Sequence, residues 1–172
     1  KGSGKSTLAY HFINYVLSIE EQFGYDTKNC LIKSENRTFK TILNKSNPNL
    51  ITIDVNAEKK NIDINQIREL ILNLNKSSFN TKPRFVLIDN IEFLNKNSIN
   101  ALLKVLEEPN DKNLFILVTS NISRMLDTLT SRCVKVYFPK LNNKQIYNFL
   151  KNEFNNNEED INFISHICNG DV

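Results

Sequence analysis

A chain of 172 residues, 40% hydrophobic and 24% charged, is long enough to bury one main core and part of a second. Its formal charge of +3 argues neither for nor against a nucleic-acid partner, since a local basic patch fits inside so mild a total. Cys30, Cys133 and Cys168 stand far apart without a C-x-x-C pair, and no apolar run approaches membrane-spanning length, which points away from a zinc site, a disulfide framework and a membrane span and favours a reduced, cytoplasmic setting.

The first seven residues, Lys1-Gly2-Ser3-Gly4-Lys5-Ser6-Thr7, read as the second half of a phosphate-binding loop of the pattern G-x-x-x-x-G-K-[ST], whose first glycine would precede residue 1. Such a loop curls so that its N–H groups make an anion nest at the start of the next helix. Gly2, Ser3 and Gly4 would form the nest, Lys5 would reach the β- and γ-phosphates, Ser6 would be a Mg²⁺ ligand, and Thr7 is the next donor along. The required helix is expected from Leu8, Phe12, Tyr15, Val16 and Ile19, spaced three and four apart.

Turn-prone residues fill Phe23 to Lys28, and Cys30-Leu31-Ile32 suggests a short strand. Arg37 to Asn47 reads as a short basic helix whose charges fit a solvated face or a phosphate-contacting patch. Asn49 to Val55 is a β-branched strand, and Asp63 with Gln66 three residues on predicts a capped amphipathic helix carrying Ile64, Ile67, Ile71 and Leu74. Arg84 to Asp89 holds four consecutive apolar residues ending in a carboxylate, as in an interior parallel strand. Ligands gather at the carboxyl ends of such strands, so Asp89 is placed to hold Mg²⁺ indirectly beside the loop, in the manner of a Walker B acid. Asn90 follows it where many ATPases of this type carry a glutamate that polarises the attacking water, and an amide cannot accept that proton.

Asn95 to Leu106 predicts a helix with Ile99, Leu102, Leu103 and Leu106 on one face, closed by Glu107-Glu108-Pro109. Leu114 to Val118 reads as another continuous apolar strand, with Thr119, Ser120 and Asn121 at its end, where they could feel a γ-phosphate or simply form a turn. Met125 to Leu129 suggests one or two helical turns, and Val134 to Phe138 a last core strand. After Pro139, Asn142 and Gln145 would open a helix carrying Ile146, Phe149 and Leu150, interrupted at Asn155-Asn156-Asn157. A second helix with Ile161, Ile164 and Cys168 would end at Gly170. Alternating strands and helices with a P-loop define an α/β fold with a parallel sheet, lacking the strand that would lead into the loop.

Taken together, Phe85-Val86-Leu87-Ile88-Asp89, Leu94-Asn95, Asn100-Ala101-Leu102-Leu103-Lys104-Val105-Leu106-Glu107-Glu108-Pro109 and Thr128-Leu129-Thr130-Ser131-Arg132-Cys133 resemble the bacterial clamp-loader branch of the AAA+ ATPases. Within that branch the delta-prime type of DNA polymerase III subunit fits better than gamma/tau. Asn90 stands where gamma/tau has Glu. Asn47-Pro48-Asn49-Leu50 with Ile62-Asp63-Ile64-Asn65-Gln66-Ile67-Arg68 is similar to the H-P-D and V-D-Q-I-R pattern of delta-prime sequences.

The resemblance implies a P-loop AAA+ RecA-like parallel sheet with flanking helices over 1–138, then the start of an α-helical lid over 139–172, with the sensor-2 arginine and a collar domain beyond. It implies ATP and Mg²⁺ as cofactors, Ser120 at the sensor-1 position with Thr119 as fallback, and Arg132 as an arginine finger reaching a γ-phosphate bound in a neighbouring subunit. Partners would be gamma/tau and delta subunits in a hetero-pentamer, with the sliding clamp and primer–template DNA as clients. An active gamma/tau-type ATPase, a small-molecule kinase and a ring component with a relic loop are the alternatives. His11 and His166 have no partner at metal-ligand spacing.

Overall fold

The computed structural model describes residues 4–55, 61–76, 81–108 and 110–153. In chain order these give α1 (Lys5–Leu17), α2 (Arg37–Leu43), β1 (Leu50–Ile53), α3 (Ile64–Leu74), β2 (Arg84–Ile88), α4 (Lys96–Glu107), β3 (Asn113–Leu117), the short α5 (Asp127–Thr130) and α6 (Asn143–Glu153). One compact unit covers Ser6–Val134, and the residues from Lys135 onward, with Lys5 and those before it, belong to a second. Among the described residues no helix is long and apolar enough to cross a membrane.

The strands form a parallel sheet in the order β1-β2-β3, with Leu50 opposite Phe85 and Phe85 opposite Leu114. Every residue of β2 is buried, which accounts for its unbroken apolar run. Successive side chains of a strand point to opposite faces. Phe85 and Leu87 therefore join Ala9, Ile13 and Leu17 of α1, while Val86 and Ile88 join Ile67, Leu70 and Leu74 of α3, Leu102 of α4 and Leu129 of α5. The result is a helix–sheet–helix sandwich whose two cores share one central strand.

The helix ends follow from the sequence. Asp63 and Gln66 form a reciprocal capping box on α3, with the Asp63 backbone N–H donating to Gln66 Oε1 at 2.9 Å. Asn95 caps α4 by accepting from Ser98 N at 2.8 Å. Asn142 and Gln145 exchange two 2.9 Å bonds at the start of α6, as their spacing predicts. Asn36, fully buried, caps α2 through Phe39 N and accepts from Asn14 of α1, so one amide joins two helices.

Several expectations are corrected. In α1 the buried positions are Ala9, Ile13, Asn14 and Leu17, whereas Leu8, Phe12 and Tyr15, with Ile19 just past the helix, are exposed and Val16 is half-buried. Apolar residues surround this helix, so periodicity alone does not select a face; the small side chain of Ala9 marks the side that meets the sheet. Cys30-Leu31-Ile32 is no strand. It makes a single bridge from Leu31 to Asp26, because the Asp26 carboxylate gathers Lys28 N, Asn29 N and Asn29 Nδ2 into a tight loop closed by Cys30 at φ 54°.

Residues 134–138 likewise form no strand: Val134 is 94% and Val136 80% exposed, and no described strand pairs with them. A β-branched run becomes a strand only when a neighbouring ladder satisfies its backbone. The interruption at residues 155–157 and the second helix of the expected lid lie outside the described residues.

Arg84, on the central strand, is 8% exposed and reaches the end of α3. Its Nη1 donates to the carbonyls of Asn73 (3.0 Å) and Lys76 (3.3 Å), and Nη2 donates to Lys76 (3.2 Å). The Asn73 carbonyl also accepts from Lys76 N at 3.3 Å in the turn that closes α3, so the guanidinium acts as a buried clamp on the helix end. Arg84→Met keeps the bulk and removes the donors; a stability loss of about 2 kcal/mol is expected from hydrogen bonds to a charged group, read as a lower denaturant midpoint at unchanged slope.

Candidate functional site

The carboxyl ends of β1, β2 and β3 release Asp54, Asp89 and Ser120 toward the same edge of the sheet. At this edge Ser6, in the first turn of α1, donates its hydroxyl to Asp89 Oδ2 at 2.5 Å. The two residues are 83 positions apart, so the pairing is made by the fold and not by the local chain. The other carboxylate oxygen of Asp89 accepts from Asn90 N at 2.8 Å, and the Asp89 amide donates to Ile53 O of β1 at 2.9 Å. Asp89 is thereby fixed against the neighbouring strand.

Gly4, just before α1, has φ +73°, a left-handed conformation that glycine takes without strain. Lys5 is the first residue of the helix. Gly2 and Ser3 lie outside the described residues. Thr7 lies on α1 beside Ser6 and lines, with Tyr10, a groove between α1, α2 and β1. The Tyr10 phenol is pushed up by burial and further by the nearby charges of Asp89 and Asp54. One hydroxyl and one carboxylate are a hard-oxygen pair of the kind Mg²⁺ accepts alongside phosphate oxygens and water, so these residues fit that ion.

Asn90 occupies the left-handed region at φ 54° and ψ 44° and donates Nδ2–H to Asp54 Oδ1 at 2.9 Å. The amide is thus committed to the neighbouring strand end. The chain then makes a single 3-10 turn, Ile91–Phe93, which carries a residue that the motifs did not reveal: Glu92. Its Oε1 accepts both the backbone N–H of Ser120 (3.2 Å) and the Ser120 hydroxyl. Burial alone would raise the Glu92 carboxyl, but hydrogen bonds from Ser120, Thr119 and backbone amides outweigh it and hold the group below the ordinary glutamate range. Its Oε2 is buried without a hydrogen-bond partner. Glu92 was invisible in sequence because it follows the strand by a turn and meets Ser120 across 28 residues.

Ser120 therefore sits at the strand-end edge, engaged with Glu92, while Thr119 Oγ1 accepts from Asn121 N at 3.0 Å. Arg132 is held by its own chain: Nη1 donates to Thr128 O at 2.6 Å, and Nη2 pairs with Glu107 at the end of α4 at 2.7 Å. With side chains 35% and 50% exposed, that ion pair is solvent-screened and is worth under about 1 kcal/mol. His11 shares a 3.0 Å hydrogen bond with Tyr25 and takes no part in the edge cluster.

A parallel sheet with helices on both faces makes this an α/β fold, in which a hydroxyl at the first turn of α1 is set against an acid at the end of the central strand. In solved structures this architecture is matched by a DNA polymerase III gamma-subunit-related protein of Thermotoga maritima, with TM-score 0.51 and 24% identity over 69% of this chain and 43% of that one. The family model described as DNA polymerase III, delta subunit, matches residues 1–142, and the chain belongs to that family of clamp-loader proteins.

Similar curated proteins come from both kinds of subunit. The delta' subunit of Buchnera aphidicola (subsp. Schizaphis graminum) is 29% identical over 163 residues, covering 93% of this chain and 46% of that protein. The gamma subunit of the same organism is 34% identical over 127 residues, covering 71% of this chain and 34% of that protein. The chain thus spans about a third to a half of the length of these relatives.

The Glu92–Ser120 contact makes a direct prediction. A carboxyl whose folded pKa is depressed contributes stability above its unfolded value and loses it as pH falls through the folded one. Ser120→Ala should raise the Glu92 carboxyl pKa, seen by carbon-13 NMR titration, and should weaken the acid-side loss of stability relative to the native chain.

Proposed function

We propose that this chain is the nucleotide-binding part of a delta-prime-type clamp-loader subunit, which binds ATP but turns it over poorly and acts on a neighbouring subunit. The observation that carries the reading is the strand-end pair Asp89-Asn90: an acid joined to the phosphate-loop serine, followed by an amide already bonded to Asp54. An amide supplies no general base at the place where a turnover-competent relative carries glutamate. Relatives of both subunit types match at comparable identity, so it is Asn90 that favours delta-prime over gamma/tau.

In this mechanism the backbone of Gly2, Ser3 and Gly4 and the Lys5 ammonium hold the phosphates, Ser6 and Asp89 hold Mg²⁺ directly and indirectly, and Ser120 stands at the sensor position. Bound Mg²⁺ would neutralise charge on the phosphate oxygens. Arg132 supplies a planar, permanently charged fork to the γ-phosphate bound next door. Its tether to Glu107 is weak enough for the guanidinium to exchange one anionic partner for another. Residues 1–138 would form the nucleotide-binding core and 139–172 the beginning of the lid. The whole protein would work in the cytoplasm beside gamma/tau and delta subunits in a five-membered ring that loads a sliding clamp onto primed DNA.

Two measurements test this in the full-length protein mixed with its partner subunits. Arg132→Ala should leave nucleotide binding by this subunit intact and lower turnover at the adjacent site by about a thousandfold, the scale of an arginine finger; undiminished ATPase of the assembled ring would sink the proposed role. Exchanging the pair, Asn90→Glu with Asp54→Asn, keeps an acid–amide contact and restores a base next to Asp89. Turnover by this subunit should appear only in the exchanged form. Turnover by the native subunit would instead favour an active gamma/tau-type ATPase.

A further inference from the structure

Glu92 and Ser120 do more than stabilise the strand ends. A serine hydroxyl has one proton to donate. Here that proton goes to a carboxylate, and the Ser120 backbone N–H goes to the same oxygen. The second oxygen, Oε2, is buried and has no partner, so Glu92 already lacks one bond that an ionised carboxylate would accept. If Ser120 turned to a phosphate oxygen, Glu92 would lose the hydroxyl bond on Oε1 and would present a second anion to the phosphate. Both effects oppose recognition of a terminal phosphate at this end of the sheet.

We infer that Glu92 holds the sensor serine out of use, so that this site binds adenosine triphosphate and diphosphate with nearly equal affinity. The inference rests on the nucleotide-binding reading given above and makes Glu92 a specificity-determining residue that acts through Ser120. It assigns the site a chemistry of its own: recognition of the phosphates held by the loop, with the terminal phosphate contributing little. A subunit built this way would stay loaded whichever nucleotide is present, and the ring's response to hydrolysis would come from other sites.

The amide of glutamine keeps the length and shape of Glu92 while removing its charge, so Glu92→Gln turns the charge-assisted bond to the serine into a weaker neutral one without opening a hole. Losing a charge-assisted hydrogen bond corresponds to roughly tenfold or more in an equilibrium constant. The experiment is equilibrium binding of ATPγS and of ADP, each with Mg²⁺, to the full-length protein, read as the ratio of the two affinities.

The native protein should give a ratio within about threefold of one, and Glu92→Gln should raise the preference for ATPγS about tenfold. Ser120→Ala in the Glu92→Gln background should cancel that gain, which a merely structural effect of position 92 would not do. A native ratio already above tenfold, or a ratio unmoved by Glu92→Gln, overturns the inference and leaves the nucleotide-binding reading standing. Binding of neither nucleotide by the native protein, with Lys5→Ala indistinguishable from it, overturns both.

Discussion

The constraint on which the structure depends is the double burial of β2. Five consecutive residues are enclosed, with Phe85 and Leu87 packed against α1 and Val86 and Ile88 against α3 and α4. Shifting the strand by one residue would exchange the two sets and put every side chain on the wrong face. Register is therefore held by four large apolar groups at once, each worth roughly 1.5–3 kcal/mol of burial. The chemistry at the strand ends inherits that precision. Asp89 follows Ile88 by one residue, and Ser120 follows Leu117, the register partner of Ile88, by three. Neither has freedom to drift along the sheet axis.

What was legible in the sequence were features that repeat or concentrate. The apolar run of β2, the Asp63–Gln66 box and the Asn142–Gln145 box carry their structures in short windows, and each appears where the residues place it. The Gly4-Lys5-Ser6 triplet and the acid of Asp89 stand out as motif and strand end, and the fold joins Ser6 to Asp89. The face of α1 was not legible, because Leu8, Phe12, Tyr15 and Ile19 form as good a stripe as Ala9, Ile13 and Leu17. Only the partner surface distinguishes them. Residues 134–138 failed for the related reason that a strand is a property of two segments, and β-propensity describes one.

The polar contacts that shape the candidate site were the least legible. Glu92, Asp54 and Arg84 stand outside any motif, and each acquires its partner through tertiary contact: Ser120 at 28 residues' separation, Asn90 at 36, and the carboxyl end of α3. Such residues follow no period, and a charged side chain at the close of a strand or in a turn reads as solvated surface. Burial of an arginine on the central strand is intelligible only when the helix end that it serves is seen.

The backbone at Asn90 has an evolutionary consequence. Left-handed geometry is disfavoured for most L-residues by about 1–2 kcal/mol, and asparagine is among the few that occupy it readily. A glutamate arriving there by a single substitution would meet that strain and also find the carboxylate of Asp54 where the amide now has an acceptor. The amide is thus entrenched by conformation and by electrostatics together. Placing a glutamate at this position therefore calls for changes at two strand ends, and the first of them is uphill.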